Sequence, residues 1–127
     1  MVFPKDLKYT NDHEWLFMES KKTASIGVTG YAIEQLGDIV HIDLPTVGES
    51  FDNGASFGTI ESTKTVSDLY MPIAGKIVEV NQAILKSPEK LQEDPYKNGW
   101  LVKIETKSGG NSKLLSAKEY DDYINNG

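Results

Sequence analysis

The chain has 127 residues, a length that suits one hydrophobic core, and we expect a single domain over residues 1–127. Its composition is ordinary for a folded protein, 39% hydrophobic and 25% charged, and no apolar stretch is long enough to predict a membrane-spanning helix. The net charge of -6 and a basic set made only of lysines argue against nucleic-acid binding, because arginine supplies the bidentate contacts to phosphate and guanine.

Two short strands and a helix are predicted in the first third of the chain. Residues 14–18 and 23–28 are apolar or β-branched, and the polar residues 19–22 between them predict a hairpin turn. Thr29 has the position of a helix N-cap. The short helix that follows is expected to end at Gly37, because glycine can take the left-handed conformation that terminates helices.

The most informative feature of the sequence is an internal repeat. Residues 37–43 (GDIVHID) match residues 75–81 (GKIVEVN), and both segments have the character of strands. In each copy an Asn-Gly pair, at residues 53–54 and 98–99, precedes a second strand. Two halves of so few strands cannot each bury a core, so we expect them to pack face to face as a flattened sandwich or barrel.

The turn between the two halves contains the main candidate functional residue. Residues 61–68 read ESTKTVSD, and a strand over residues 66–70 is expected to begin within them. Serine and threonine stabilise turns through side-chain hydrogen bonds to the backbone, so Lys64 is expected at an outward-pointing hairpin tip. An exposed lysine is most often only a solvated charge, so the context of Lys64 has to decide its role.

The second copy of the repeat is longer than the first by an insert. Residues 85–97 include Pro88 and Pro95 and have no sustained periodicity. We therefore expect a loop there, with about one helical turn.

A short amphipathic helix is predicted near the C-terminus. Ser116 and Glu119 have the spacing of a capping box. Tyr120, Tyr123 and Ile124 then fall on one helix face, which we expect to pack on the sandwich.

We predict structural roles for the two histidines and the two tryptophans of the chain. His13 and His41 lack the spacing of a metal site, so no metal ligand is predicted. Trp15 and Trp100 lie in strand-like surroundings, where large amphipathic rings usually pack in or beside the core.

The chain contains no cysteine, so it has no disulfide, thiol nucleophile or thiolate ligand of its own. Sulfur chemistry would have to come from an attached group or a partner. The first residues lack a basic leader followed by an apolar core, which favours a cytoplasmic protein. A mature mitochondrial matrix protein whose leader had been removed would have the same pattern.

A series of short motifs extends over nearly the whole chain. In chain order they are His13-Glu14-Trp15, Ile26-Gly27-Val28-Thr29, Leu36-Gly37-Asp38, Leu44-Pro45 with Gly48, Glu61-Ser62-Thr63-Lys64 followed by Ser67-Asp68, Pro72-Ile73-Ala74-Gly75, Val78-Glu79-Val80-Asn81, Pro95-Tyr96, Asn98-Gly99-Trp100 and Ala117-Lys118-Glu119-Tyr120. Each motif alone is common. Their joint order and spacing resemble the lipoyl-bearing H proteins of glycine cleavage systems.

The resemblance implies a mainly β fold of the lipoyl or biotinyl hammerhead type, with additional terminal elements. It implies that Lys64 carries lipoic acid in amide linkage. Glu14 and Asp68 match acidic positions that the family uses beside the lipoyl arm, so both are candidates for an acidic cleft that receives it. The opposite interpretation is that both are ordinary solvated acids.

The resemblance also implies a carrier rather than an enzyme. Its partners would be a pyridoxal-phosphate glycine decarboxylase, a tetrahydrofolate-dependent aminomethyltransferase and a flavin dihydrolipoyl dehydrogenase. A lipoyl ligase or transferase would attach the arm. We expect the carrier itself to be a monomer.

Three other functions are weighed against the glycine-cleavage carrier. A lipoyl relay to 2-oxo acid dehydrogenases has the same sequence requirements and stays open. An enzyme with Lys64 as nucleophile would need burial or a neighbouring cation to lower the pKa of the amine, whereas Glu61 and Asp68 offer the reverse. A biotin carrier would flank the lysine with methionines, and this chain has Thr63 and Thr65 there.

Overall fold

The computed structural model describes residues 2–106 and 114–126, and strands dominate them. The strands, numbered along the chain, are β1 (Lys8–Tyr9), β2 (Glu14–Met18), β3 (Thr23–Val28), β4 (Ile39–Asp43), β5 (Ser50–Phe51), β6 (Ser56–Ser62), β7 (Val66–Tyr70), β8 (Gly75–Val80) and β9 (Val102–Glu105). The helices are α1 (Gly30–Leu36), α2 (Gln82–Lys86), α3 (Lys90–Glu93) and α4 (Ala117–Asn126). The predicted mainly β class is therefore confirmed.

The strands form two antiparallel sheets that enclose one main core. The larger sheet has the order β1-β2-β3-β9-β8-β5, and the smaller has the order β4-β6-β7. The predicted hairpin of β2 and β3 is confirmed, with pairing from Glu14↔Val28 to Met18↔Ala24. Buried side chains from both sheets belong to one apolar cluster, which includes Ile42 and Ile60 from the smaller sheet and Ile77 and Val102 from the larger.

The internal repeat is confirmed by the strand pairing. In the first copy β4 pairs with β6, and in the second copy β8 pairs with β9, each antiparallel. Both pairings contain a β-bulge, and the bulges fall at Val40 and Val78, which are equivalent residues of the repeat. A bulge bends its strand, so the two halves curve at matching points as they close over the shared core.

Helix α1 begins and ends where predicted, but the backbone conformation at its end differs from the expected one. The Ala32 N–H donates to the Thr29 side chain (3.2 Å), as expected of an N-cap. Gly37 has the expected positive φ of 83°, but its ψ of -145° lies outside the left-handed helical region, so the predicted left-handed cap is wrong. The extended ψ leads the chain directly into β4, which begins two residues later.

The insert at residues 85–97 has the predicted character of a loop with about one helical turn. That turn is α3, and the last two residues of α2 also fall within the insert. Asn81 caps α2 by accepting from the Ala83 N–H (3.2 Å). Ile84 and Leu91 are buried in the main core, and this tertiary packing stabilises helices too short to form alone.

Helix α4 begins with the predicted capping box. The Glu119 N–H donates to Ser116 Oγ (3.1 Å), and the Ser116 N–H donates to Glu119 Oε1 (2.8 Å). Tyr120 is fully buried and its ring stacks on that of Tyr9, with centroids 4.9 Å apart, so the predicted packing on the sandwich is confirmed. Within residues 2–106 and 114–126, no helix has the length and apolar character needed to cross a membrane.

Trp15 packs on the outer face of the larger sheet, as predicted. Its ring covers Gly27, where a Cβ atom would lie 2.4 Å from the indole, so only glycine fits. The indole N–H donates to the carbonyl of Pro95 (3.0 Å) and ties the insert to β2. Trp100 is partly buried, with the Lys103 ammonium 5.0 Å from its ring centre.

Candidate functional site

Lys64 lies in the tight turn between β6 and β7, and its side chain is exposed. The buried Ser62 holds this turn, because its Oγ accepts from the N–H groups of Lys64 (3.2 Å) and Thr65 (3.1 Å). The Ser62 N–H also donates to the Thr65 carbonyl (2.8 Å). The serine-stabilised hairpin tip expected from the sequence is therefore present.

The turn is also fixed against the end of α1. The Thr63 N–H donates to the Asp38 carbonyl (3.0 Å). The Lys64 side chain lies over Gly37, where an added Cβ atom would be 3.5 Å from Lys64 Cε. The aliphatic stem of the lysine is thus supported while its amine remains accessible to solvent.

Gln92 supports the same region and was not found by sequence reasoning. Its Oε1 accepts from the Ile39 N–H (3.2 Å), and its Nε2 donates to the Gly37 carbonyl (3.4 Å). Helix α3 therefore braces the segment on which the Lys64 side chain lies. No local signal marks Gln92, because its partners are 53 and 55 residues away in the chain.

A cleft of about 140 Å³ lies between β2, α1 and β7, and both Glu14 and Asp68 line it. We call it the Glu14–Asp68 cleft. Leu36, at the end of α1, and Ser67, next to Asp68, also line it, so it adjoins the elements that hold the Lys64 turn. Most of the remaining lining is apolar and comes from Val28, Ala32, Ile60 and Leu69.

Glu14 is a buried carboxyl group and not a solvated acid. It is only 1% exposed, its Oε2 accepts from the Tyr70 N–H (2.8 Å), and its Oε1 accepts from the Thr10 hydroxyl (3.2 Å). Burial raises the pKa of the Glu14 carboxyl to about 8, the two hydrogen bonds offset part of this rise, and the charge of Asp12 adds to it. The group is therefore largely protonated near neutral pH and would ionise beside a bound cation.

Asp68 contrasts with Glu14 because it is exposed. The Ser56 hydroxyl donates to Asp68 Oδ1 (3.2 Å) across the β6–β7 pair. The charge of Asp68 is the largest cause that raises the pKa of the Tyr70 hydroxyl. The cleft thus combines the desolvated carboxyl of Glu14 with the exposed carboxyls of Asp68 and Asp12, which also lines it.

The stretch of sequence that contains Lys64 is rich in acidic residues. From Thr23 to Gly75, Lys64 is the only basic residue apart from His41. The acidic residues of the same segment are Glu34, Asp38, Asp43, Glu49, Asp52, Glu61 and Asp68. Acylation of Lys64 would therefore remove the only lysine charge of residues 23–75.

The histidines have separate structural partners. His41 is exposed and lies 3.1 Å from Asp43 on the same strand. His13 contacts Tyr120 and also lines the Glu14–Asp68 cleft. In the part of the chain that the structure describes, no three histidine or acidic residues are grouped as metal ligands.

Comparison with known proteins gives one consistent family. The family model described as "Glycine cleavage H-protein" matches residues 7–127. The glycine cleavage system H protein of Bacteroides thetaiotaomicron is 49% identical over 98% of this chain and 99% of its own length. That of Carboxydothermus hydrogenoformans is 46% identical over 97% of this chain and 95% of its own length.

A solved structure has the same fold. The crystal structure of a glycine cleavage system H protein from Mycobacterium marinum superimposes with a TM-score of 0.91 at 41% identity. The match covers 97% of this chain and 99% of that one. The predicted fold class and the resemblance noted in the sequence are both confirmed, and the chain belongs to the glycine cleavage H-protein family.

Proposed function

We propose that this chain is the lipoyl-bearing shuttle of a glycine cleavage system, with lipoic acid in amide linkage on Lys64. The observation that carries the proposal is the exposed Lys64 amine on a turn that Ser62 and the end of α1 hold rigid. A modifying enzyme needs such an amine, accessible and fixed in position. Family membership supports the same role.

The residues around Lys64 fit a lipoyl group. When bound, the group supplies a disulfide that takes up the aminomethyl cargo and a dithiol that is later reoxidised. The apolar side chains of the Glu14–Asp68 cleft suit the hydrocarbon part of the arm, and the two carboxyl groups suit an amine at its end. Lys64 is exposed and the residues next to it in sequence are Thr63 and Thr65, so it lacks the buried or cationic surroundings of a nucleophilic lysine.

The shuttle would serve three enzymes in turn. The cargo comes from the pyridoxal-phosphate glycine decarboxylase and passes to the tetrahydrofolate-dependent aminomethyltransferase, and the electrons pass to dihydrolipoyl dehydrogenase. A lipoyl ligase or transferase would modify Lys64 first. We propose that the chain acts in this cycle as a monomeric single domain and catalyses none of the steps. The bacterial sources of the relatives favour the cytoplasm over a mitochondrial matrix.

We expect the lipoylated protein to support glycine-dependent release of carbon dioxide by purified glycine decarboxylase. The unmodified chain lacks the disulfide that receives the cargo, so its activity should be close to background. The measurement is labelled carbon dioxide released from labelled glycine with each form. Equal release from the two forms would contradict the proposal, and transfer of the lipoyl group to another carrier without this activity would favour the relay function.

The two carboxyl groups should protect the cargo. The lone pair of a free amine on a sulfur-bearing carbon can expel the thiolate to give an iminium ion, which water hydrolyses to ammonia and formaldehyde. A protonated amine has no free lone pair and cannot do this. A nearby carboxylate favours the protonated amine, and burial limits access of water. We therefore expect Glu14→Gln and Asp68→Asn each to speed ammonia loss from the loaded protein, by about tenfold for an interaction of one pKa unit.

Ammonia release at neutral pH without folate or transferase measures this effect. Asp43→Asn is a matched control, because Asp43 is an exposed acid on the same sheet that does not line the cleft. Lipoylation of Lys64 should be unchanged in all three variants. Rates equal to the parent in both single variants and in their double variant would exclude the protective role.

A further inference from the structure

Tyr120 has a buried hydroxyl group that none of the proposed chemistry uses. The residue lies in α4 and is fully buried, and its hydroxyl lies 2.8 Å from His13 Nδ1 and 2.8 Å from Thr29 Oγ1. A tyrosine hydroxyl can donate one hydrogen bond and accept another, so both contacts can be satisfied together. The C-terminal helix is thereby joined to the segment that begins β2.

His13 has an unfavourable backbone conformation. Its φ of 70° is the only positive φ of a non-glycine residue in the described ranges 2–106 and 114–126. Such a conformation costs free energy for a residue with a Cβ atom and persists only when contacts hold it. The backbone contacts are the His13 N–H to the Thr10 carbonyl (3.1 Å) and the Thr29 N–H to the His13 carbonyl (3.0 Å).

The conformation of His13 sets the direction of the next residue, Glu14. Strand β2 begins at Glu14, so the turn at His13 decides which way this first side chain points. The Glu14 carboxyl then reaches across to the Tyr70 N–H of β7 (2.8 Å), two residues beyond Asp68. A change at His13 would move the carboxyl away from both Tyr70 and any amine bound in the cleft.

The ring of Tyr120 is positioned independently of its hydroxyl. It stacks on the Tyr9 ring at an interplanar angle of 11° and meets the edge of Phe3 at 4.8 Å. Tyr9 is equally buried, but its hydroxyl donates to the Pro4 carbonyl and has no contact with the cleft. The same aromatic cluster thus contains one hydroxyl directed at His13 and one directed at the N-terminal segment.

We propose that Tyr120 is a positioning residue of the Glu14–Asp68 cleft, whose hydroxyl holds His13 in its positive-φ conformation and thereby aims Glu14 at the cargo amine. The inference rests on the proposed function, in which the aminomethyl cargo occupies this cleft. It assigns the C-terminal helix a role in protecting the cargo, through the contact of Tyr120 with His13.

The test compares Tyr120→Phe with Tyr9→Phe, two variants that each remove one buried hydroxyl from the same cluster. In the unmodified protein, carbon NMR of the Glu14 carboxyl should show its titration midpoint fall from about 8 toward the ordinary value of 4.5 in Tyr120→Phe. In the loaded protein, ammonia loss should be about fivefold faster, because removing a buried hydrogen bond loosens the carboxyl. Tyr9→Phe should leave both quantities as in the parent.

A second comparison tests whether Tyr120 acts through His13. Glycine adopts positive φ without steric cost, so His13→Gly no longer needs the hydroxyl. In that background Tyr120→Phe should have no further effect on the Glu14 midpoint. A further shift of the Glu14 midpoint by the same amount in the His13→Gly background would overturn the inference. Equal shifts of the midpoint in Tyr120→Phe and Tyr9→Phe would also overturn it, and so would a parent-like midpoint in Tyr120→Phe.

The NMR readout separates this inference from the proposed function. It uses the unmodified chain and does not depend on the arm or its cargo. If Glu14→Gln leaves ammonia loss unchanged, Glu14 does not protect the cargo, whatever Tyr120 does to its position. If Glu14→Gln speeds the loss and Tyr120→Phe does not, the cleft stands and the role of Tyr120 fails.

Discussion

Lys64→Arg should abolish lipoylation completely. A lipoyl ligase forms an amide with a primary amine, and the guanidinium group of arginine keeps the charge and similar reach but is not acylated in this way. The structure offers no second lysine on the Ser62-stabilised turn. Intact mass after expression with lipoate should therefore show one lipoyl group on the parent and none on the variant.

Lys22→Arg is the matched control for this experiment. Lys22 is also an exposed lysine at the end of a hairpin, in the turn between β2 and β3, but it does not line the Glu14–Asp68 cleft. It should carry the same single lipoyl group as the parent. A modified mass in Lys64→Arg would place the attachment on another residue and remove the basis of the proposed function.

The free energy of unfolding should fall as the pH rises from 4.5 to 8, and Glu14 is the cause. Folding raises the pKa of its carboxyl from 4.5 to about 8, so between these values the folded protein holds a proton that the unfolded chain has released. The contribution of the protonated Glu14 to the free energy of unfolding is therefore complete below pH 4.5 and is lost as the pH rises through 8. Linkage sets its upper limit at about 5 kcal/mol.

Urea-induced unfolding of the parent and of Glu14→Gln at several pH values measures this contribution. The glutamine keeps the shape and an acceptor for the Tyr70 N–H but does not titrate. The difference between the two proteins isolates Glu14 from other groups, including His13, whose pKa is lowered by burial. Parallel stability curves for parent and variant over this range would contradict the buried, protonated carboxyl.

The parts of the fold that depend on local pattern were predictable from the sequence. The β2–β3 hairpin, the capping box at Ser116 and the turn at Lys64 depend on residues a few positions apart, and all three have the expected structure. The repeat at residues 37–43 and 75–81 was predictable because its two copies keep the same order of glycine, isoleucine and valine. Local propensity and patterning are sufficient for such features.

The parts that depend on distant contacts were not predictable. Helix α2 forms because Ile84 reaches a core built by other segments, and no helical periodicity marks it. The burial of Glu14 could not be predicted, because its partner Tyr70 lies 56 residues away in the chain. The contact of Tyr120 with His13 spans 107 residues and has no sequence signal.

The sequence distribution of lysine gives the attachment site a distinctive peptide map. Trypsin cleaves after lysine and arginine, and the chain has no arginine and no lysine other than Lys64 between Lys22 and Lys76. With an unmodified Lys64, complete digestion separates residues 23–64 from residues 65–76. An acylated Lys64 resists cleavage, so one long peptide over residues 23–76 replaces both. The fraction of chains that carry the arm can thus be read from peptide lengths, even where the cargo or the redox state of the sulfurs has been lost during preparation.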